Sequence, residues 1–362
     1  MEAIVCNVGL RHLVSPGAWV RIGLGKQNRK RSRYRSPIIN ETLSPVLGSL
    51  EALGMVEAVR GDISDKTKQT VMRAGPTLLS KLRVASLTYA DFGIDLGAEA
   101  IELRKEKGRK TGIANAKVET LEYEDDETTH RYRSEMHTIN GGLLSAALGL
   151  CPVVAGRADV CTADRTLKRI FTNGSFTQGG RLYGGFWMGL RREDRKAITI
   201  DGEPAVSLDY SQAGPRILYG LAGVPYDGRD AYAVPGYAGE YRDSIKKLFG
   251  AMLNTKKRLT QFPEELKGAF AGLKVREVVD AVLDHNAEVA HLLFNGVGQT
   301  VPFIESQAMV RVLLALREIG VTGLPIHDAV LVPASKVDHA RTIMEESFLA
   351  VAGVTGRVEV EE

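Results

Sequence analysis

Cysteine is scarce: only Cys6, Cys151 and Cys161 occur in 362 residues, widely spaced and without a CxxC pair. That excludes a disulfide scaffold and a zinc-ribbon site, and it fits a reducing cytoplasm. No apolar run reaches the length needed to cross a bilayer, so no membrane partner is expected. The opening stretch carries Glu2 and soon mixes in Arg and Gly, so it is not read as a secretory leader. Charge of one sign is missing too: 47 Lys and Arg against 44 Asp and Glu leave a net +3, which alone names no partner. Internal repeats and low-complexity tracts are absent.

What is present is an ordinary globular composition, 44% apolar and 25% charged, with 38 Gly to supply turns. A chain of this length buries one large core or two to three smaller ones. The distribution of charge says more than its sum. Arg21, Lys26, Arg29, Lys30, Arg31, Arg33 and Arg35 follow one another with no acid among them. Residues 1–35 are therefore expected to form a basic arm, either a solvated tail or a phosphate contact through residues such as Arg29, Lys30 and Arg31.

Residues 38–53 show helical apolar spacing interrupted by Pro45, and Gly54 suits a C-terminal cap. MVEAVRG and KQTVMRAG then read as two strands around a polar turn at Asp62–Asp65, and a helix begins at Pro76. Helices followed by a hairpin predict a winged-helix-like domain over 36–95. Residues 96–170 are charged blocks with a helix predicted from Ser134 to Leu148, either a thumb-like region or a solvated linker.

From 171 to 362 the texture changes. The strand AVSLD ends on Asp209 and turns into a helix with Pro215 in its first turn. A basic helix lies around 240–254, and a long apolar-periodic helix covers 303–318. A strand then reaches Ile326-His327-Asp328, VLVP makes its partner, and a last helix starts near Ser335. Carboxylates at strand ends are costly to bury without a cation or partner. A pair of them, Asp209 and Asp328, is what nucleotidyl transfer requires: two magnesium ions about 4 Å apart activate the attacking hydroxyl and stabilise the leaving pyrophosphate. Magnesium takes few carboxylates and leaves its other positions to water and phosphate. Arg242 and Lys246 lie one helical turn apart and so share a face, with Phe249, Gly250 and Asn254 broadly beside them, a cationic wall suited to a triphosphate. Thr177-Gln-Gly-Gly-Arg181 adds paired glycines that let backbone approach a nucleic-acid strand.

Taken in order, these segments resemble family A polymerases, the DNA polymerase I group and the single-subunit RNA polymerases of phages and mitochondria. Thr177 to Arg181, with Gly180 before the arginine, is similar to the T/D-x-x-G-R motif that contacts the template–primer backbone. Asp209-Tyr-Ser-Gln-Ala-Gly-Pro-Arg216 is similar to motif A, Arg242-x3-Lys246 to the start of motif B, and Ile326-His327-Asp328 to motif C. Ser306-Gln307 with Arg311 is similar to the segment before motif C in the RNA-making branch. The resemblance covers roughly 171–350. It implies an α+β fold: a right-hand palm of antiparallel sheet with packed helices, small helical fingers inserted at about 225–300, and a thumb-like region before it. It implies two Mg²⁺ ions (Mn²⁺ substituting) held by Asp209, Tyr210 and Asp328, catalysis by Asp209, Asp328 and His327, and nucleotide binding by Arg242, Lys246, Gly214, Phe249, Gly250 and Asn254. Nucleic acid would meet Thr177, Gly180, Arg181, Arg216 and Gln307. His327 would position the growing 3′ end, or else be a packed turn histidine.

Where DNA polymerases of the family carry a Glu that blocks a ribose 2′-OH, this chain has Gly214, as the RNA-making branch does. That favours ribonucleotides, unless Gly214 serves only the helix start. Other positions depart from the family: Asn254 replaces an aromatic, Phe249 is one place off the usual spacing, and motif C reads His-Asp-Ala. No exonuclease-like segment is evident, and the N-terminal winged helix is similar to divergent, phage-borne versions of this core. The expected function is a template-directed RNA polymerase or primase-like enzyme acting on DNA or RNA template–primer and nucleoside triphosphates in a prokaryotic or phage-infected cytoplasm. A DNA polymerase without proofreading and a non-enzymatic DNA-binding regulator are the alternatives.

Overall fold

The computed structural model describes residues 1–24, 32–35, 41–61, 69–88, 91–92, 97–106, 119–155, 160–237 and 239–361. The chain divides into two compact units, one of Met1–Ala100 with Leu150–Arg165 and the other of Ile101–Gly149 with Thr166–Glu362.

The first unit is built from α1 (Glu2–Val14), β1 (Val20–Ile22), α2 (Leu43–Ala52), β2 (Val56–Val59), β3 (Thr70–Ala74) and α3 (Pro76–Val84). Its sheet runs β1-β3-β2, both pairings antiparallel. β3 alternates buried and half-buried residues, the period-2 signature of a strand with one face on a core. Ile4, Val8, Leu47, Leu50, Met72 and Leu78 form that core. The stretch read as a basic arm is therefore not a plain tail. Ile4 and Val8 are one turn apart and anchor α1, and β1 completes the sheet. Arg29, Lys30 and Arg31 lie outside the described residues, as does the polar turn at Asp62–Asp65. α2, LSPVLGSLEA, carries no Lys or Arg.

The second unit begins with β4 (Ile101–Leu103), α4 (Glu127–Ser145) and β5 (Leu148–Leu150); the short α5 (Pro152–Ala155) falls in the segment that returns to the first unit. α4 starts seven residues before the predicted Ser134. The acid-rich block before it supplies the reason: Asp126 accepts from the Thr129 amide at 2.7 Å while the Thr129 hydroxyl accepts from the Asp126 amide at 2.8 Å, a reciprocal cap. Next come β6 (Leu167–Phe171), β7 (Gly179–Gly184), α6 (Arg192–Arg195), β8 (Ile198–Ile200), β9 (Glu203–Tyr210) and α7 (Ala213–Ala222). They are followed by α8 (Arg242–Leu253), α9 (Val275–His285), α10 (Thr300–Glu318), β10 (Leu324–Ile326), β11 (Ala329–Pro333), α11 (Val337–Ala352) and β12 (Val358–Val360).

The larger sheet is ordered β10-β11-β9-β8-β5, with β12 also on β9. β9 is long enough for one edge to hold both β8, at Pro204 and Glu203, and β12, at residues 208–210. β11 is buried at every position, as a central strand should be, and α10 and α11 pack together. A smaller sheet, β4-β6-β7, pairs β4 with β6 in parallel and β6 with β7 antiparallel. The unit is thus mixed α+β with mainly antiparallel sheet, and residues 225–300 insert α8 and α9. No described helix is long and apolar enough to cross a membrane.

Candidate functional site

β9 and β11 bring the two aspartates together. Asp209 lies directly across from Ala329, so Asp328 is one residue away on the neighbouring chain segment. Adjacent strands run about 4.8 Å apart. On the other edge of β9, Glu359 lies opposite Asp209. The Asp209 Oδ1 atom is buried without a hydrogen-bond partner. Burial, then the charges of Asp328 and Glu361, push the Asp209 carboxyl up to about 7, against the pull of the Tyr210 backbone and Lys246. A half-buried carboxylate with one buried oxygen lacking a donor and a like charge beside it fits a divalent cation. Two carboxylates match magnesium's demand for few protein ligands. Among the described residues there is no group of three or more His, Cys, Asp and Glu that could hold a metal ion, so any ions here would rely on Asp209, Asp328, water and substrate. Tyr210, expected beside them, turns its side chain into the core: its hydroxyl donates to the Met344 carbonyl at 2.6 Å. Only its main chain is left for a cation.

His327 and Asp328 form the two-residue loop between the paired Ile326 and Ala329. His327 takes a left-handed φ of 58°, and its ring meets Tyr183 edge-on at 5.5 Å. Its Nδ1 is buried without a partner, and burial followed by Arg181 holds its pKa below the ordinary value. The hairpin is tied from behind by Trp187, whose Nε1 donates to the Pro325 carbonyl at 3.0 Å.

Glu305, on α10, is the acid that the sequence reading missed. It is 4% exposed, and its two oxygens accept from Arg181 Nη2 at 2.8 and 2.9 Å. Burial, then the Asp328 charge, raise its carboxyl to about 7 despite Arg181. The available signal was a Glu inside an otherwise apolar-periodic helix. Arg181 therefore stands ion-paired beside the acids through Nη2. Gly180 is required where it stands: φ is +73°, and a Cβ would meet Phe171 and Ser306 at 3.0 Å. Thr177 is exposed, with its hydroxyl 2.8 Å from that of Ser175.

Two other expected nucleic-acid contacts turn inward. Arg216 is 6% exposed and donates to the carbonyls of Ser211 (3.0 Å) and Thr355 (2.9 Å). Its guanidinium lies 4.4 Å from the centre of the Tyr226 ring. Gln307 accepts from Arg169 at 2.9 Å and donates to the Tyr132 hydroxyl at 3.2 Å. Arg169, also missed, is fully buried and donates to the Gly180 carbonyl at 3.0 Å as well, so it fixes the glycine pair from beneath. Burial lowers its pKa to about 10. Its place in the mostly buried strand LKRIF, two residues from both Leu167 and Phe171, was the only hint.

On α8, Arg242 Nε donates to Asp230 Oδ2 at 2.6 Å, and the guanidinium lies 5.6 Å from the centre of the Tyr232 ring. Lys246 is exposed, and its charge acts on Asp209. Phe249 corrects the expectation of a nucleotide contact: it is 1% exposed and packs edge-on against Tyr232, because Ile245, Leu248, Phe249 and Met252 make the helix's buried face. At Gly250 an added Cβ would find nothing within 4 Å. Asn254 ends the helix, its amide donating to the Gly250 carbonyl at 2.9 Å. Gly214 stands in the first turn of α7, where a Cβ would meet only Val301 Cγ1, at 3.9 Å.

No protein-family model matches this chain, and no curated protein matches it. Among solved structures it is similar to the POL domain of Pol1 from M. smegmatis in complex with DNA primer-template and dNTP, at 16% identity and a TM-score of 0.36. The match covers 64% of this chain and 51% of that one, about half its length. So slight a likeness carries no functional argument; the residues themselves must.

Proposed function

We propose that the chain is a template-directed nucleotidyltransferase that joins ribonucleoside triphosphates, an RNA polymerase or primase-like enzyme. The observation that carries this reading is the adjacency of Asp209, near the end of β9, and Asp328, in the loop that leads into the paired β11, with a buried Asp209 oxygen left without a donor. The lysine charge of α8 acting on the same carboxylate supports it. Asp209 and Asp328 would hold two Mg²⁺ ions, with Mn²⁺ able to substitute. When bound, such ions lower the pKa of the attacking 3′-hydroxyl and neutralise charge on the transferring phosphate.

The chain's own groups do the rest. Lys246 and the terminal nitrogens of Arg242 bind the β- and γ-phosphate oxygens and stabilise charge as pyrophosphate departs. His327, its ring held against Tyr183, orients the primer terminus, so the hydroxyl oxygen attacks the α-phosphorus in line as the bond to the bridging oxygen breaks. Gly214 leaves space at the sugar edge, so a ribose 2′-hydroxyl is accepted.

An extension screen on DNA and RNA templates, primed and unprimed, with all eight nucleotides and Mg²⁺, tests this. Ribonucleotide incorporation is expected. Incorporation of deoxyribonucleotides alone would overturn the choice of sugar, and template binding without any incorporation would favour a regulator. Gly214→Glu has room to fold and should cut ribonucleotide use about tenfold or more relative to deoxyribonucleotide use, the scale of about 1.4 kcal/mol in the transition state. Unchanged selectivity would remove Gly214 from the argument.

A further inference from the structure

Arg242 does not stand free on its helix. Its Nε donates to Asp230 Oδ2 at 2.6 Å, and the other oxygen of Asp230 accepts from the Tyr232 amide at 3.0 Å. The short segment that carries the acid is itself pinned from two sides. Gln212, in the turn after β9, accepts from the Ala231 amide at 2.8 Å. At the end of α9, the His285 ring lies 2.9 Å from the Asp230 carbonyl, and buried Asn286 donates to the Ala231 carbonyl at 3.1 Å. Ala231 and Tyr232 are buried. Gln212 stands three residues after Asp209, so the chain of contacts runs from the aspartate turn through residues 230–232 to Arg242.

The pairing is made through Nε. A guanidinium has five N–H donors in a rigid plane, and fixing it by Nε sets the plane; of the terminal nitrogens, Nη1 has only the exposed Asp243 carboxylate, at 3.9 Å, to exchange for an oxyanion. An arginine without such a brace must lose rotamer freedom when its ligand arrives.

We propose that Asp230 is a positioning residue: it holds Arg242 in the orientation that receives the β- and γ-phosphates of an incoming nucleoside triphosphate. This inference rests on the proposed nucleotidyltransferase reading for its ligand, but it is tested separately through phosphate binding. Charge alone predicts the opposite effect, since Asp230→Asn removes a negative charge from beside an anion site and should tighten binding.

The test uses the full chain and inorganic tripolyphosphate with Mg²⁺, with binding followed by calorimetry. Asp230→Asn and Asp230→Ala should weaken binding about tenfold, about 1.4 kcal/mol. Asp230→Glu should recover part of the loss. In an Arg242→Ala background, Asp230→Asn should weaken binding no further, a pattern that a general loss of fold would not give. If the wild type incorporates nucleotides, the same variants should raise the triphosphate KM with a smaller effect on kcat. Equal or tighter tripolyphosphate binding by Asp230→Asn overturns the inference even if the enzyme polymerises, and so does a wild type that does not bind tripolyphosphate. Weakened binding by the variant with no incorporation by the wild type leaves the inference standing and defeats the polymerase reading.

Discussion

At the residue scale, the site combines two kinds of buried charge with opposite consequences. Arg169 is a satisfied cation, enclosed by Tyr132 and Phe171 and donating to Gly180, Ser306, Gln307 and Glu135. Arg169→Ala should cost about 3 kcal/mol, because it strips donors from buried acceptors and empties a large volume. A shifted urea midpoint at unchanged slope would report it; a loss below about 1 kcal/mol would show that the network is not structural. The carboxyls differ: Asp209 leaves one oxygen without a partner, and Glu305 is paired with Arg181 yet sits beside the charge of Asp328. Both carboxyls are raised to about 7, so the metal-free folded chain keeps protons that the unfolded chain releases near pH 4. That contribution to stability is complete below about pH 4 and is lost as pH rises through about 7. With chelator present, Tm should therefore fall between pH 5.5 and 8 more steeply than in Asp209→Asn, and Mg²⁺ should restore it at pH 8. Parallel Tm curves for wild type and variant would contradict this account.

At the element scale, the parts of the site that were legible in sequence are those with a local cause. β9 and the β10–β11 hairpin alternate or bury apolar residues up to an acid, so Asp209 and Asp328 could be placed at strand ends before their pairing was known. Arg242 and Lys246 follow from helical spacing alone. What escaped depends on long-range packing. Glu305 and Arg169 look like incidental charges in apolar segments until α10 and β7 meet. Phe249 is expected broadly beside Arg242 and Lys246 from helical spacing, which does not separate the edge of that face from the core-facing side of α8. Arg216 is expected at nucleic acid from its place in the motif A resemblance, and its backbone-carbonyl partner Thr355, 139 residues away, comes into view only with the fold. The start of α4 was missed for another reason: its first turns are polar, and the Asp126–Thr129 cap rather than apolar periodicity marks the boundary. Opening that cap with Asp126→Ala should cost about 1 kcal/mol and fray the first turn, measurable as faster amide exchange there. Unchanged exchange would show that the helix start is held by packing instead.

At the scale of the whole molecule, the chain is two units, each with its own strands, and the second is completed only by residues on both sides of the segment 150–165. That interleaving, with the chain changing unit after residues 100, 149 and 165, depends on long-range packing and leaves no local mark in the sequence. The functional claim rests on the second unit, where strand pairing sets Asp209 beside Asp328. The most direct measurement is single-turnover nucleotide incorporation on a primed template as a function of Mg²⁺, for wild type, Asp209→Asn and Asp328→Asn. The account predicts metal-dependent incorporation by the wild type and a loss of at least about 100-fold in each variant, with template affinity retained. Incorporation that survives either substitution, or that proceeds equally without divalent metal, would contradict it.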